Sequence, residues 1–270
     1  MSSHIPQPVV VMLHASGSHA RQWNRLAELL QARFRVHAVD LHGHGGTPPW
    51  DMTRPLRLHD EVALFERLIE NAPGGVHLVG HSYGGAVALK AAALHPRRVR
   101  SVAVYEPVLF RLLLETDRRH RAARQAMALG TMMASRLAAG RSEIAARRFI
   151  DFWGGRGSWE TMPAARQAVL AAQMPTMAAQ FDALCTDGAT ATELGWLRAP
   201  ALCLTGACTR ACTRRVGELL QRMLPAARHE TLAEMGHMGP LTHAEPVARR
   251  LAAFIDAQAA CGVEAVPEAA

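Results

Sequence analysis

Residues Gly80-His81-Ser82-Tyr83-Gly84 form a G-x-S-x-G pattern, and its flanks decide what the pattern means. Val76-His77-Leu78-Val79 before it reads as a short buried strand, and Gly85-Ala86-Val87-Ala88-Leu89-Lys90-Ala91 after it as a helix. A serine on a sharp strand-to-helix turn is the context of a nucleophile elbow. Such a turn brings backbone segments into contact, so glycines must flank it, and Gly80 and Gly84 do. The helix beyond the turn aims its first N–H groups at negative charge developing beside the serine.

Strand-like runs recur along the chain. Val9 to Leu13 is continuously apolar, as expected of a strand covered on both faces. Val36 to Val39, Val99 to Tyr105, Ala201 to Thr205 and Arg228 to Leu232 are the others. Helical spacing separates them: Trp23, Leu26, Ala27 and Leu30; then Leu58, Val62, Phe65 and Ile69; then Val216, Leu219, Leu220 and Met223. A final helix carries Val247, Leu251, Phe254 and Ile255, with Thr242 and Glu245 at capping-box spacing and Pro246 in its first turn. This alternation predicts an α/β fold: a mostly parallel, doubly wound sheet of about six main strands with helices on both faces. The alternation stops between Pro107 and about Leu194, where Ala, Arg and Met dominate. The expected organisation is a core of residues 1–106 and 195–260, a helical cap insertion at 107–194, and a flexible tail at 261–270.

Composition excludes several function classes. At 270 residues, 49% hydrophobic and 20% charged, the chain reads as an ordinary globular protein. The +7 formal charge comes from dispersed arginines, with Lys90 the single lysine and Arg118-Arg119-His120-Arg121 the one dense cluster. No nucleic-acid motif accompanies them, so solvated surface is expected and no nucleic-acid partner. The five cysteines are odd in number and lack framework spacing, and Cys208 and Cys212 have no further ligands completing a zinc site. Neither a disulfide scaffold nor a metal is expected. No signal-like segment and no membrane-length apolar run is present, which points to a cytoplasmic protein with no membrane association.

Four segments together resemble the α/β-hydrolase superfamily, in the branch with a helical cap inserted after the sixth strand. One is the elbow. The second is His14-Ala15-Ser16-Gly17-Ser18 after the first strand, at the place of the family's His-Gly oxyanion loop. The third is Asp40-Leu41-His42-Gly43-His44-Gly45, similar to the family's D-x-x-G-x-G turn, and the fourth is Gly236-His237-Met238-Gly239-Pro240, where the family keeps its catalytic histidine. By this likeness the family's first two strands are missing or vestigial. The resemblance implies that Ser82 is the nucleophile and that the oxyanion hole is formed by the backbone N–H groups of Tyr83 and Ser16. The His-Gly of the family is His14-Ala15 here, which restricts the backbone of that loop.

A serine hydroxyl needs a base. Of 14 histidines, His237 is favoured because it follows the last strand on a glycine-flanked loop; His243 is the runner-up, and His81, His14, His42 and His44 read as packing or turn residues. The third member departs from the family, whose acid usually follows the next-to-last strand. Here that segment, Gly206 to Cys212, holds no carboxylate. Glu106 ends the preceding strand, a position some relatives use, and is the candidate acid; Asp40 and Asp182 compete with it. Phe149, Phe152, Trp153 and Trp159, with Met132, Met133, Met162, Met174 and Met177, would give an apolar pocket under the cap. Arg111 and Arg156 are the candidates to meet a substrate carboxylate. The serine nucleophile excludes aspartate-based epoxide hydrolases and haloalkane dehalogenases of this fold, and the position of Lys90 does not match the hydroxynitrile lyases. The reading is a cofactor-independent serine hydrolase acting on a small, largely apolar ester or related acyl compound through an acyl-enzyme. Carbon–carbon hydrolysis of a dioxo acid and non-catalytic ligand binding on the same fold are the alternatives.

Overall fold

The computed structural model describes residues 7–261. Its centre is a parallel sheet of six strands: β1 (Val9–Leu13), β2 (Arg35–Val39), β3 (Val76–His81), β4 (Val99–Tyr105), β5 (Ala201–Gly206) and β6 (Arg228–Leu232), in the order β2-β1-β3-β4-β5-β6. Parallel neighbours require crossovers, and helices supply them. A 3-10 turn (Ala20–Trp23) and α1 (Asn24–Leu30) join β1 to β2; α2 (Leu58–Ala63) and α3 (Glu66–Asn71) precede β3; α4 (Tyr83–Leu94) leads to β4. Between β4 and β5 come α5 (Phe110–Asp117), α6 (Arg121–Ala138), α7 (Ser142–Gly154), α8 (Ala164–Thr186) and α9 (Ala191–Gly195). Then follow α10 (Ala211–Met223) before β6, and α11 (Gly239–Thr242) and α12 (Ala244–Cys261) after it.

Alternation along each strand explains the continuous apolar runs. Val9, Val11 and Leu13 enter one core with Leu78, Val102 and Val104, under α2, α4 and α10 and continuous with the helices between β4 and β5. Val10 and Met12 enter the opposite core with Val79, Ala103 and Leu204, against α1 and α12. Each face therefore needs an apolar residue at every other position, and the strand becomes apolar throughout. The edge strands β2 and β6 are half exposed and carry Arg35, Arg228 and Glu230, charges that discourage pairing with other chains.

Three expectations are corrected. The helix foreseen from Leu58 to Ile69 is two helices, broken where Leu64 turns to solvent and Phe65, with φ of −131°, enters the core. The capping box at Thr242 and Glu245 does not form. The Thr242 hydroxyl donates to the Met238 carbonyl, and Glu245 accepts from Arg25 and Arg249 instead. The tail was expected from Cys261, but that residue ends α12; residues 262–270 lie outside those described. All five cysteines are free thiols. Among the described residues no helix is long and apolar enough to cross a membrane.

Candidate active site

Strand order reverses between β1 and β3, and in open α/β sheets ligands bind beyond the carboxyl ends of the strands at such a point. Ser82 stands there, directly after β3. Its φ of 55° and ψ of −117° lie in a region non-glycine residues avoid, a local cost of about 1–3 kcal/mol. Close packing makes the flanking glycines obligatory: a Cβ on Gly80 would lie 2.3 Å from the Gly84 carbonyl oxygen, and one on Gly84 2.3 Å from that of Leu13.

The loop after β6 brings His237 over the elbow. The Ser82 hydroxyl faces His237 Nε2 at 2.9 Å, and His237 Nδ1 faces Glu106 Oε2 at 2.7 Å. With the carboxylate accepting, Nδ1 carries the proton and Nε2 is left to receive one from the serine. Glu106 follows β4 with φ of 42° and is buried. Its Oε2 also accepts from the Thr209 hydroxyl at 2.6 Å, and its Oε1 from the Gly206 N–H at 2.8 Å. The segment that lacked a carboxylate thus supplies two donors that orient one from the next strand. The His237 ring lies against Trp153 of α7, with centroids 4.0 Å apart and planes at 31°. His81, entirely buried, donates from Nε2 to the His237 carbonyl at 2.8 Å, so it holds the backbone of that loop.

The competing acids lie elsewhere. Asp40 accepts from the N–H groups of Ala20 and Gly46 and fixes the turn after β2. Asp182 is exposed on α8, and His243 is exposed beside α11. His14 bridges two loops, donating from Nδ1 to the Ala15 carbonyl and accepting the Leu41 N–H at Nε2. His44 likewise donates to the His42 carbonyl and accepts the Gly17 N–H. Burial lowers His14 to about 3 and His44 to about 4, so both are neutral struts.

Tyr83 and Ser16 both border Ser82 in a small apolar recess of about 20 Å³. Tyr83 opens α4, whose first N–H groups have no acceptor within the helix. The Ser16 side chain donates to Gln180 Oε1 of α8 at 2.7 Å. Gln180 Nε2 in turn reaches Glu61 Oε1 at 3.3 Å, and the Tyr83 hydroxyl donates to the same oxygen at 3.0 Å. Glu61 is fully buried, and burial pushes its carboxyl above the usual range. Sequence reasoning missed this carboxylate because Glu61 stands beside Asp60 at the start of an amphipathic helix, where acids usually face solvent.

A larger cavity of about 370 Å³ opens at Ser82 and His237, with Phe149, Ile150, Met162 and Leu170 among its apolar walls. Trp153 lines it too, whereas Phe152 and Met132 line a separate outer groove of about 980 Å³. Arg156 lies in that outer groove, and Arg111 pairs with Glu115. The arginine at the Ser82 cavity is Arg166, which nothing in the sequence distinguished from the others.

The family model described as "Alpha/beta hydrolase family" matches residues 10–250. The chain is similar to pimeloyl-(acyl-carrier protein) methyl ester esterase of Chromobacterium violaceum, 29% identical over 256 residues that cover 93% of this chain and 96% of that one. It is also similar to Lipase LipV of Mycobacterium tuberculosis, 37% identical over 101 residues, 37% of each chain. Among solved structures, MGS-M2, an alpha/beta hydrolase enzyme from a Medee basin deep-sea metagenome library, matches with a TM-score of 0.75 at 16% identity. That match covers 93% of this chain and 90% of the other.

Proposed function

From the premise that this chain belongs to the alpha/beta hydrolase family, we propose that it hydrolyses a small, largely apolar ester through an acyl-enzyme on Ser82. The observation that carries the reading is the unbroken hydrogen-bond chain from Ser82 through His237 to Glu106, at 2.9 and 2.7 Å. Ser82 Oγ attacks the ester carbonyl while His237 Nε2 takes its proton. Glu106 stabilises the imidazolium and holds its tautomer. The N–H groups of Tyr83 and Ser16 receive the oxyanion, and such donors contribute about two to three decades of rate each. His237 returns the proton to the departing alcohol. A water, deprotonated by the same nitrogen, then attacks the acyl-enzyme and frees the acid and Ser82.

Residues 107–194 act as a cap whose α7 and α8 wall the substrate space. The recess of about 20 Å³ takes a group of about methyl or water size. That suits a small alkoxy group, in keeping with the methyl ester in the name of the Chromobacterium violaceum relative. The free thiols suit a reducing compartment such as the cytoplasm. Carbon–carbon hydrolysis has no specific observation in its favour, and the non-catalytic reading loses its ground once Glu106 pairs with His237. A fluorophosphonate probe should label Ser82 stoichiometrically, and Ser82→Ala should lose labelling and turnover of p-nitrophenyl and methyl esters while keeping its melting temperature. Equal turnover by the wild type and the variant would overturn the assignment.

A further inference from the structure

We propose that Arg166 is a subsite for a carboxylate carried on the acyl chain, so that the cavity takes hemiesters of dicarboxylic acids with the ester at Ser82. This rests on the ester-hydrolase reading and names the substrate class of the same site. Arg166 lies in the first turn of α8, half-buried, and lines the cavity that also contains Ser82 and His237. A guanidinium has five N–H donors. The hydrogen bond recorded for Arg166 uses one of them, to the Gly17 carbonyl. No carboxylate among the described residues lies within ion-pair distance of it.

Other sheltered cations are treated differently. Lys90 pairs with Glu193 and Asp187, and Arg215 with Asp117 and Glu218. Arg98 donates to three backbone carbonyls and Arg210 to two. Arg166 instead has His19 and His44 as its charged or chargeable neighbours, neither of which can neutralise it. A half-buried cation without an anion loses solvation with nothing in return, and that loss lowers its proton affinity. A ligand carboxylate accepting two of the free donors would offset the loss. Phe149, Ile150, Met162 and Leu170 would cover the methylenes between. The acyl side is favoured over the alcohol side because the other space at Ser82, about 20 Å³, holds only a small alcohol.

The test compares monomethyl dicarboxylates, graded from succinate to sebacate, with neutral methyl alkanoates of matched length. The quantity read is the ratio of kcat/KM for the two. Arg166→Met should lower this ratio roughly ten- to hundredfold at the best-fitting length, mainly through KM. Arg166→Lys, which keeps the charge but not the fork, should retain part of it. If both ester series fall together and the ratio holds, Arg166 serves only to brace Gly17 and the proposal is wrong. A third arm uses acetate esters of ω-hydroxy acids, which carry the anion on the alcohol side; a charge effect confined to that arm would overturn the acyl-side placement. Calorimetric binding of the hemiesters to Ser82→Ala, with and without Arg166→Met, reads the same preference without turnover. Loss of ester turnover by the wild type would therefore count against the hydrolase reading, and an unchanged binding ratio against this one.

Discussion

Glu106 is held so that one end of its carboxylate is committed before His237 arrives. Gly206 N–H can only donate, and it donates to Oε1, while Oε2 faces His237 Nδ1 and the Thr209 hydroxyl. In Glu106→Gln the amide oxygen must take the Gly206 position, so the NH₂ group lands against His237 Nδ1. The ring then accepts there and carries its proton on Nε2, facing Ser82, where it cannot act as base. An equivalent Asp-to-Asn change in a serine protease costs about four decades in kcat. Here kcat should fall by at least about two decades, with KM little changed; steady-state kinetics of wild type and variant would decide, and a loss below about threefold would mean Glu106 is not the acid. Ser82 and Glu106 could be singled out in the sequence because each directly follows a strand-like run, and His237 because it sits on the glycine-flanked loop after the last one. Arg166 was not legible. Its setting depends on α8 crossing a loop about 150 residues away in sequence, at Gly17, and its composition context is that of any surface arginine.

Among the elements, α8 decides how the helices after β4 meet the site. It lies over both loops at the carboxyl end of β1 and β2: Arg166 and Gln180 reach Gly17 and Ser16, and Gln173 Nε2 donates to the Gly43 carbonyl at 2.8 Å. Glu61 of α2 ties this helix to α4 and to the loop after β2 by accepting from Gln180, the Tyr83 hydroxyl and the His42 N–H. Glu61→Leu would leave three buried donors without their acceptor, each costing about 1–3 kcal/mol. Removing a buried charge returns part of that. A net loss of about 2–4 kcal/mol is expected, about 5–15 °C in Tm for a chain of this size. Glu61→Gln, which keeps one acceptor oxygen, should lose less than half as much. Thermal unfolding followed by circular dichroism tests this, and an undiminished Tm in Glu61→Leu would show that the network contributes nothing to stability. The sheet was readable in advance because strands covered on both faces need unbroken apolar runs. This network was not, because its members come from four segments with no shared spacing.

Across the whole molecule, the same economy of buried polar groups sets a response to acid. His14 at about 3, His44 at about 4 and His77 at about 4 are joined by His81, held well below the ordinary 6.5, and burial is the main cause in all four. In the unfolded chain each regains an ordinary imidazole. As pH falls through about 6.5 the unfolded state therefore takes up protons that the native state refuses, and stability falls with pH; the slope fades above about pH 7 as the unfolded imidazoles lose their protons. Glu61 works the other way. Its raised carboxyl binds a proton in the native state that the unfolded chain releases until about pH 4.5, so it stabilises as pH falls through its native range. The four imidazoles alone take up about three protons or slightly more between pH 6 and 5, a slope of about 4 kcal/mol per pH unit that Glu61 opposes. For a total stability at the lower end of the usual range of about 5–15 kcal/mol, that predicts acid unfolding near pH 4.5. Urea midpoints measured from pH 8 to 5 should be flat above pH 7 and drop steeply below 6. His77→Gln should make the slope shallower by about one proton, since His77 lies on β3 against Phe34 and Ser101, on the sheet rather than at the Ser82 cavity. A midpoint constant from pH 7 to 5 would mean that these imidazoles protonate in place, and that the neutral struts His14 and His44 do not hold the two loops as drawn.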